Sequence, residues 1–67
     1  MQKTILITGC SGQLGSRLYK DLSFHFNVIP TYRKHNNKKK KLDITDKMDC
    51  KYIFSNYTPD IIINCAA

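Results

Sequence analysis

The run Thr8-Gly9-Cys10-Ser11-Gly12-Gln13-Leu14-Gly15 constrains this chain more than any other stretch. Before it stands Lys3-Thr4-Ile5-Leu6-Ile7-Thr8, β-branched and apolar, as suits a strand buried on both faces of a parallel sheet. After it, Leu14, Leu18 and Leu22 recur every four residues, with Arg17, Lys20 and Asp21 off that stripe. This spacing predicts a helix from Gln13 to about Phe26. A strand that turns through three glycines into a helix has a separate use for each. Gly9 permits the tight exit from the strand, Gly12 lets the backbone come close to a ligand, and Gly15 lets the helix pack on the strand. The first-turn amides, near Gln13 and Leu14, have no partner within the helix and favour an anion, here a pyrophosphate. No Gly-Lys-Ser/Thr closes the run, so it is not a P-loop.

The rest of the chain continues the alternation. Asn27 to Arg33 reads as a second strand, although Pro30 can donate no ladder hydrogen bond. A polar, basic stretch follows, and Leu42-Asp43-Ile44 returns as a short strand. Asp46 has the place of a helix N-cap, with Asp49 where a capping-box acid would stand. Cys50, Ile53, Phe54 and Tyr57 give that second helix one apolar face. Thr58-Pro59-Asp60 ends it, and Ile61-Ile62-Ile63 is another buried-strand signature. The order predicts an α/β fold, a parallel sheet of about four strands with two helices, over a single unit spanning residues 1–67. A chain this short buries only about 60% of its unfolded surface. With two helices for such a sheet, one face is expected to be thinly covered and stability to be marginal.

Composition removes several classes of function. The net charge of +6 would suit nucleic acid, but five of the eleven basic residues are Lys34 and Lys38 to Lys41, in one solvated loop. No basic face with interleaved aromatics is visible, so a nucleic-acid partner is not expected. Apolar runs such as Ile61 to Ile63 are far too short to cross a membrane. The first residues lack the long apolar stretch of a signal peptide, which makes a cytoplasmic protein the expectation. Cys10, Cys50 and Cys65 have neither CxxC spacing nor an even count, and read as reduced thiols without a metal.

The end of the second strand bears on the choice of cofactor. A carboxylate about 20 residues beyond the glycine loop marks NAD, whereas an Arg accommodates the extra phosphate of NADP. Here Thr31-Tyr32-Arg33-Lys34 holds no acid. A guanidinium can grip a phosphate bidentately. NADP(H) is therefore expected over NAD(H), with Arg33 as the reader. The competing reading leaves Arg33 and Lys34 as part of the solvated loop.

Three stretches carry a wider resemblance: Ile5-Leu6-Ile7-Thr8-Gly9 through Gly12-Gln13-Leu14-Gly15, then Leu42-Asp43-Ile44-Thr45-Asp46, then Asn64-Cys65-Ala66-Ala67. In these the chain resembles the extended short-chain dehydrogenase/reductases, and within them the dTDP-4-dehydrorhamnose reductase family. The resemblance implies an NAD(P)-binding Rossmann fold, of which these residues would form the N-terminal part. It implies pyrophosphate contacts at Gly12, Gln13 and Leu14, in the loop that also holds Gly9, Ser11 and Gly15. It further implies an adenine-amino contact at Asp43, adenine packing at Ile44, and a place beside the cofactor ribose for Ala66 and Ala67. For Asp43 the alternative is a carboxylate that only terminates a loop. Where the family often has an acid at the end of the second strand, this chain has Tyr32.

Members of that family reduce a keto group on a nucleotide-linked deoxyhexose, with a Tyr-x-x-x-Lys pair as the acid machinery. The four tyrosines here are followed four residues later by Ser23, Asn36, Asn56 and Ile61, so no catalytic residue is assigned and these residues alone are expected to be inactive. Two functional readings follow. One is the cofactor-binding front half of a sugar-nucleotide reductase. The other is a cofactor-binding regulatory subunit of the same family, like that of methionine adenosyltransferase.

Overall fold

The computed structural model of the protein describes residues 3–37 and 40–65. In chain order the elements are β1 (Thr4–Thr8), α1 (Gln13–Leu22), β2 (Asn27–Pro30), α2 (Lys47–Tyr57) and β3 (Ile61–Asn64). The strands form one parallel sheet in the order β2-β1-β3. This is a Rossmann-type α/β arrangement, in which the chain leaves β1 toward one side and returns on the other.

Alternation along β1 decides which helix covers which face. Ile5, Ile7 and Cys10 are buried against Leu18 and Leu22 of α1, with Val28 and Ile63 in the same cluster. Leu6 points the other way and is buried with Leu42 and with Ile53 of α2. A strand buried on both sides needs an unbroken apolar run, and Ile5-Leu6-Ile7 supplies it. Register is pinned at the start of β3. Asp60 donates its amide to the Thr4 carbonyl (2.9 Å) and accepts the Thr4 amide on its carboxylate (2.8 Å).

Several expectations change in the folded chain. The short strand at 42–44 is reduced to a single parallel bridge between Tyr32 and Lys41. Asp43 takes the chain straight into a side-chain turn, its carboxylate accepting the Thr45 amide, so no ladder can extend. The bridge lies on the side of β2 away from β1, since Thr31 bonds to Ile7 and the next residue, Tyr32, bonds to Lys40 and Leu42. β2 stops at Pro30 rather than Arg33. The first helix stops at Leu22, because the amides of His25 and Phe26 both turn onto the Leu22 carbonyl (3.0 and 2.9 Å) and bring the chain back into β2.

Leu14, at the head of the leucine stripe, is 65% exposed and lies outside the core. Phe54 is likewise exposed on α2. Asp46 caps α2 as expected, accepting the amides of Met48 and Asp49. Asp49 does not reach back to the Asp46 amide, which is bonded to the Asp43 carbonyl. Its carboxylate instead accepts the Asp43 amide (3.1 Å) and pairs with Lys41 (3.2 Å). Neither face of β1 is bare. The thin cover lies along β3, where Ile62, in register with Leu6, is 52% exposed beyond the reach of α2.

Helix α1 lies backbone-close to β1 and β2, whereas α2 meets the sheet through side chains. Gly15 explains the difference. A Cβ built there would sit 3.0 Å from the Cys10 Cα and closer still to the Gly9 carbonyl oxygen, both of them backbone. Gly15→Ala should therefore destabilise the fold by about 1–3 kcal/mol, seen as a lower urea midpoint with an unchanged slope. Asp46→Ala, which removes a cap and leaves the core intact, should cost about 1 kcal/mol in the same assay.

Candidate functional site

The site starts where β1 ends. Gly9 takes φ 70°, a left-handed conformation that side chains with a Cβ resist, and this turns the chain sharply out of the strand. The Cys10 amide is then held by the Thr31 carbonyl (3.0 Å), which ties the loop to the end of β2. The Gly12 amide folds back onto the Gly9 carbonyl (3.2 Å), and the helical ladder begins with Ser16 on the Gly12 carbonyl (3.0 Å). The amides of Gln13, Leu14 and Gly15 precede that ladder.

The two helices finish their N-termini differently. Helix α2 is closed by the Asp46 side chain and carries Asp49 in its first turn. Helix α1 has Gly12 as N-cap, no side-chain cap and no acid in its first turn. Its positive end is thus met by no side-chain cap and no first-turn acid. A Cβ on Gly12 would meet only the Gly9 oxygen at 3.6 Å, an ordinary contact, so internal packing does not demand glycine there. What glycine preserves is space on the outer side of the loop. Ser11, Gly12, Gln13 and Leu14 are all exposed there.

Beyond β2 the chain gathers the other candidate residues. Thr31 is buried, its hydroxyl on the Ile7 carbonyl (2.8 Å). The Tyr32 ring lies against the His35 ring, with centroids 5.3 Å apart. Arg33 is 70% exposed in its side chain and pairs with Asp43, Nε to Oδ2 at 3.8 Å. The other oxygen of Asp43 accepts both the amide and the hydroxyl of Thr45 (3.0 and 2.6 Å). These two hydrogen bonds, hydroxyl first, hold the Asp43 carboxyl below its ordinary value of 3.8; partial burial opposes them, and the charges of Arg33 and Lys41 add to the lowering. Ile44 follows with its side chain exposed. Ala66 and Ala67 lie outside the described residues.

The fold thus joins the glycine loop to β2 through Cys10 and Thr31, and β2 to Asp43 through Arg33. Missing from the sequence expectations is an open groove of about 500 Å³ lined by Lys34, His35, Asn36 and Lys41. As sequence, these residues belonged to a polar loop. The Tyr32–Lys41 bridge and the Lys41–Asp49 pair fix the base of that loop and give it a shaped cationic wall. The only signal in the sequence was the density of lysine itself.

Burial pushes the Cys10 thiol up; its bond with the Thr31 backbone opposes this, and Cys65 adds to the rise. Cys10 is thus a buried, weakly ionised thiol beside the loop. Among the described residues no cluster of three or more His, Cys, Asp or Glu is placed to hold a metal. No helix among them is long and apolar enough to cross a membrane.

Residues 2–67 match the family model of the RmlD substrate binding domain. The chain belongs to this family. A curated relative, the spore coat polysaccharide biosynthesis protein SpsK of Bacillus subtilis (strain 168), is 36% identical over 64 residues. That alignment takes in 94% of this chain but 20% of SpsK. Among solved structures, L-threonine dehydrogenase from Clostridium difficile superposes with a TM-score of 0.80 at 34% identity, over 98% of this chain and 24% of that one. The chain therefore spans about a fifth of SpsK and about a quarter of the dehydrogenase.

The lowered Asp43 carboxyl gives a pH expectation with a definite sign. Folding favours the ionised form, so the stabilisation from Asp43 is complete above about pH 4 and is lost as pH falls through the lower folded value. Asp43→Asn should lower thermal stability at pH 7, and the difference from the parent chain should close as the pH is taken down through the folded value. A constant difference across that range would contradict the assignment.

Proposed function

We propose that this RmlD-family chain is the N-terminal, NADP(H)-binding portion of a sugar-nucleotide oxidoreductase of the dTDP-4-dehydrorhamnose reductase type. One observation carries the reading: α1 opens on an uncapped glycine turn whose backbone is tied directly to the strand leading into Arg33. A diphosphate would lie on the amides of Gln13 and Leu14, with Gly12 leaving room for it and the Ser11 hydroxyl within the same exposed loop. Gly9 and Gly15 shape the turn. Adenosine would extend toward β2, its amino group on Asp43 and its ring against Ile44, while Ala66 and Ala67 would flank the ribose on the cofactor's other half.

Arg33 and the groove beside it favour the phosphorylated cofactor. The guanidinium is exposed, and no carboxylate projects from the end of β2 to repel a phosphate. The cofactor supplies a hydride when bound; these residues bind it, orient it and neutralise its phosphates. The partner for that hydride would be a nucleotide-linked sugar, in keeping with a relative named for polysaccharide biosynthesis. No tyrosine here is followed by Lys at the required spacing, so proton donation falls to residues other than these and the chain alone is inactive. The reading places the protein in the cytoplasm, without nucleic-acid or membrane partners.

Calorimetric titration of the chain with NADP+ and NAD+ tests this. NADP+ should bind more tightly, and Arg33→Gln should weaken NADP+ by about tenfold or more while leaving NAD+ nearly unchanged, since a charge-assisted bond contributes about 1.5–3 kcal/mol. Absence of binding by either dinucleotide, or an equal loss of both in Arg33→Gln, would overturn it.

A further inference from the structure

The groove and the Arg33–Asp43 pair together bear on how strongly the site selects its cofactor. We infer that Asp43 is a specificity-determining residue: as the counter-ion of Arg33, it restrains the preference of this site for a 2′-phosphorylated adenosine. The inference rests on the cofactor reading above and deepens it.

The geometry assigns Asp43 two separate tasks. Oδ1 is committed to Thr45, whose amide and hydroxyl both donate to it at 3.0 and 2.6 Å. Oδ2 remains, and it faces Arg33 Nε at 3.8 Å. The carboxylate cannot swing away from Arg33 without giving up both Thr45 bonds. Its main chain is fixed as well, since the Asp43 amide donates to Asp49 Oδ2 (3.1 Å), and that carboxylate also holds Lys41 Nζ (3.2 Å). Arg33 and Lys41 are thus each matched by an aspartate fixed by the fold, while Lys34 lines the groove beside Lys41.

A phosphomonoester arriving at Arg33 must compete with a carboxylate already beside it. Like charges at that distance raise the cost of the phosphate, whereas a ribose with a free 2′-hydroxyl meets no such penalty. Arg33 is largely exposed and Asp43 partly so, and water reaches the pair and screens it, so the restraint is a modest factor and not a block. The chain would bind both dinucleotides with a tempered preference, although the segment that follows its second strand offers Arg33 and no acid.

The test compares adenosine 2′,5′-bisphosphate with adenosine 5′-monophosphate, two probes that differ by one phosphate and share the adenine. Any contact between residue 43 and the adenine therefore cancels in the ratio of affinities. The full chain is titrated as the parent, Asp43→Asn, Arg33→Gln and the double variant. Asn keeps an oxygen for the Thr45 amide, and circular dichroism confirms that each variant is folded. Asp43→Asn should raise the bisphosphate preference by about two- to five-fold and steepen its decline with salt, as expected for an exposed ion pair. In the Arg33→Gln background the same change should leave the ratio nearly where it was.

An unchanged or lower ratio in Asp43→Asn would overturn the inference. So would an equal gain in both backgrounds, which would show a general field effect and no pair. Failure of every variant, the parent included, to bind either probe would remove the cofactor reading itself. Binding of both probes with an insensitive ratio would remove only the role given to Asp43.

Discussion

The close approach of Gly15 to the Gly9 carbonyl is the contact on which the rest of the molecule depends. No side chain separates helix from strand there, so α1 lies directly on β1 and aims its N-terminus at the strand's carboxyl end. Gly9 makes the turn possible by taking a left-handed conformation, and Gly12 leaves the helix end without a cap of its own. One steric requirement thereby produces both a packed core face and an electropositive opening. Leu18 and Leu22 then close over Ile5, Ile7 and Cys10 and keep the helix in that orientation.

Around this contact the sheet is unevenly supported. Ile5, Leu6 and Ile7 are nearly inaccessible, and burying side chains of this size contributes about 1.5–3 kcal/mol each. The sheet is therefore centred on β1, with a helix on each face. β3 gains hydrogen bonds from β1 and the Asp60–Thr4 exchange, yet Ile61 and Ile62 remain substantially exposed. The stability of the described unit rests on its middle strand, and β3 follows the register that β1 dictates.

Electrostatics organise the segment between β2 and α2. What composition describes as a basic, polar loop is anchored at its base by Arg33–Asp43, Lys41–Asp49 and the Tyr32–Lys41 bridge. Asp43, Asp46 and Asp49 each have a different duty: the turn with Thr45, the cap of α2, and the clamp on Lys41 and the Asp43 amide. Three of the chain's five acids are spent within seven residues, and this leaves the glycine loop free of negative charge.

The local rules of the chain were legible in its residues. Ile5-Leu6-Ile7 announces a strand buried on both sides, the three glycines announce a turn into a helix, and Asp46 announces a cap, because each depends on neighbours within a few positions. Other features depend on partners far along the chain. Leu14 belongs to the helical stripe by spacing but sits in the first turn, exposed and outside the core cluster that Leu18 and Leu22 join. Asp49 has capping-box spacing, yet Lys41 and the Asp43 amide arrive first. The strand expected at 42–44 shrank to a bridge because the Asp43 side chain competed with the ladder. The strand–glycine–helix unit was written in the residues alone, since it follows from backbone freedom and periodicity. Only the tertiary structure decided that Arg33 and Asp43 face each other and that the lysines line a groove, because charge has no periodicity and its partners are chosen by where the chain returns.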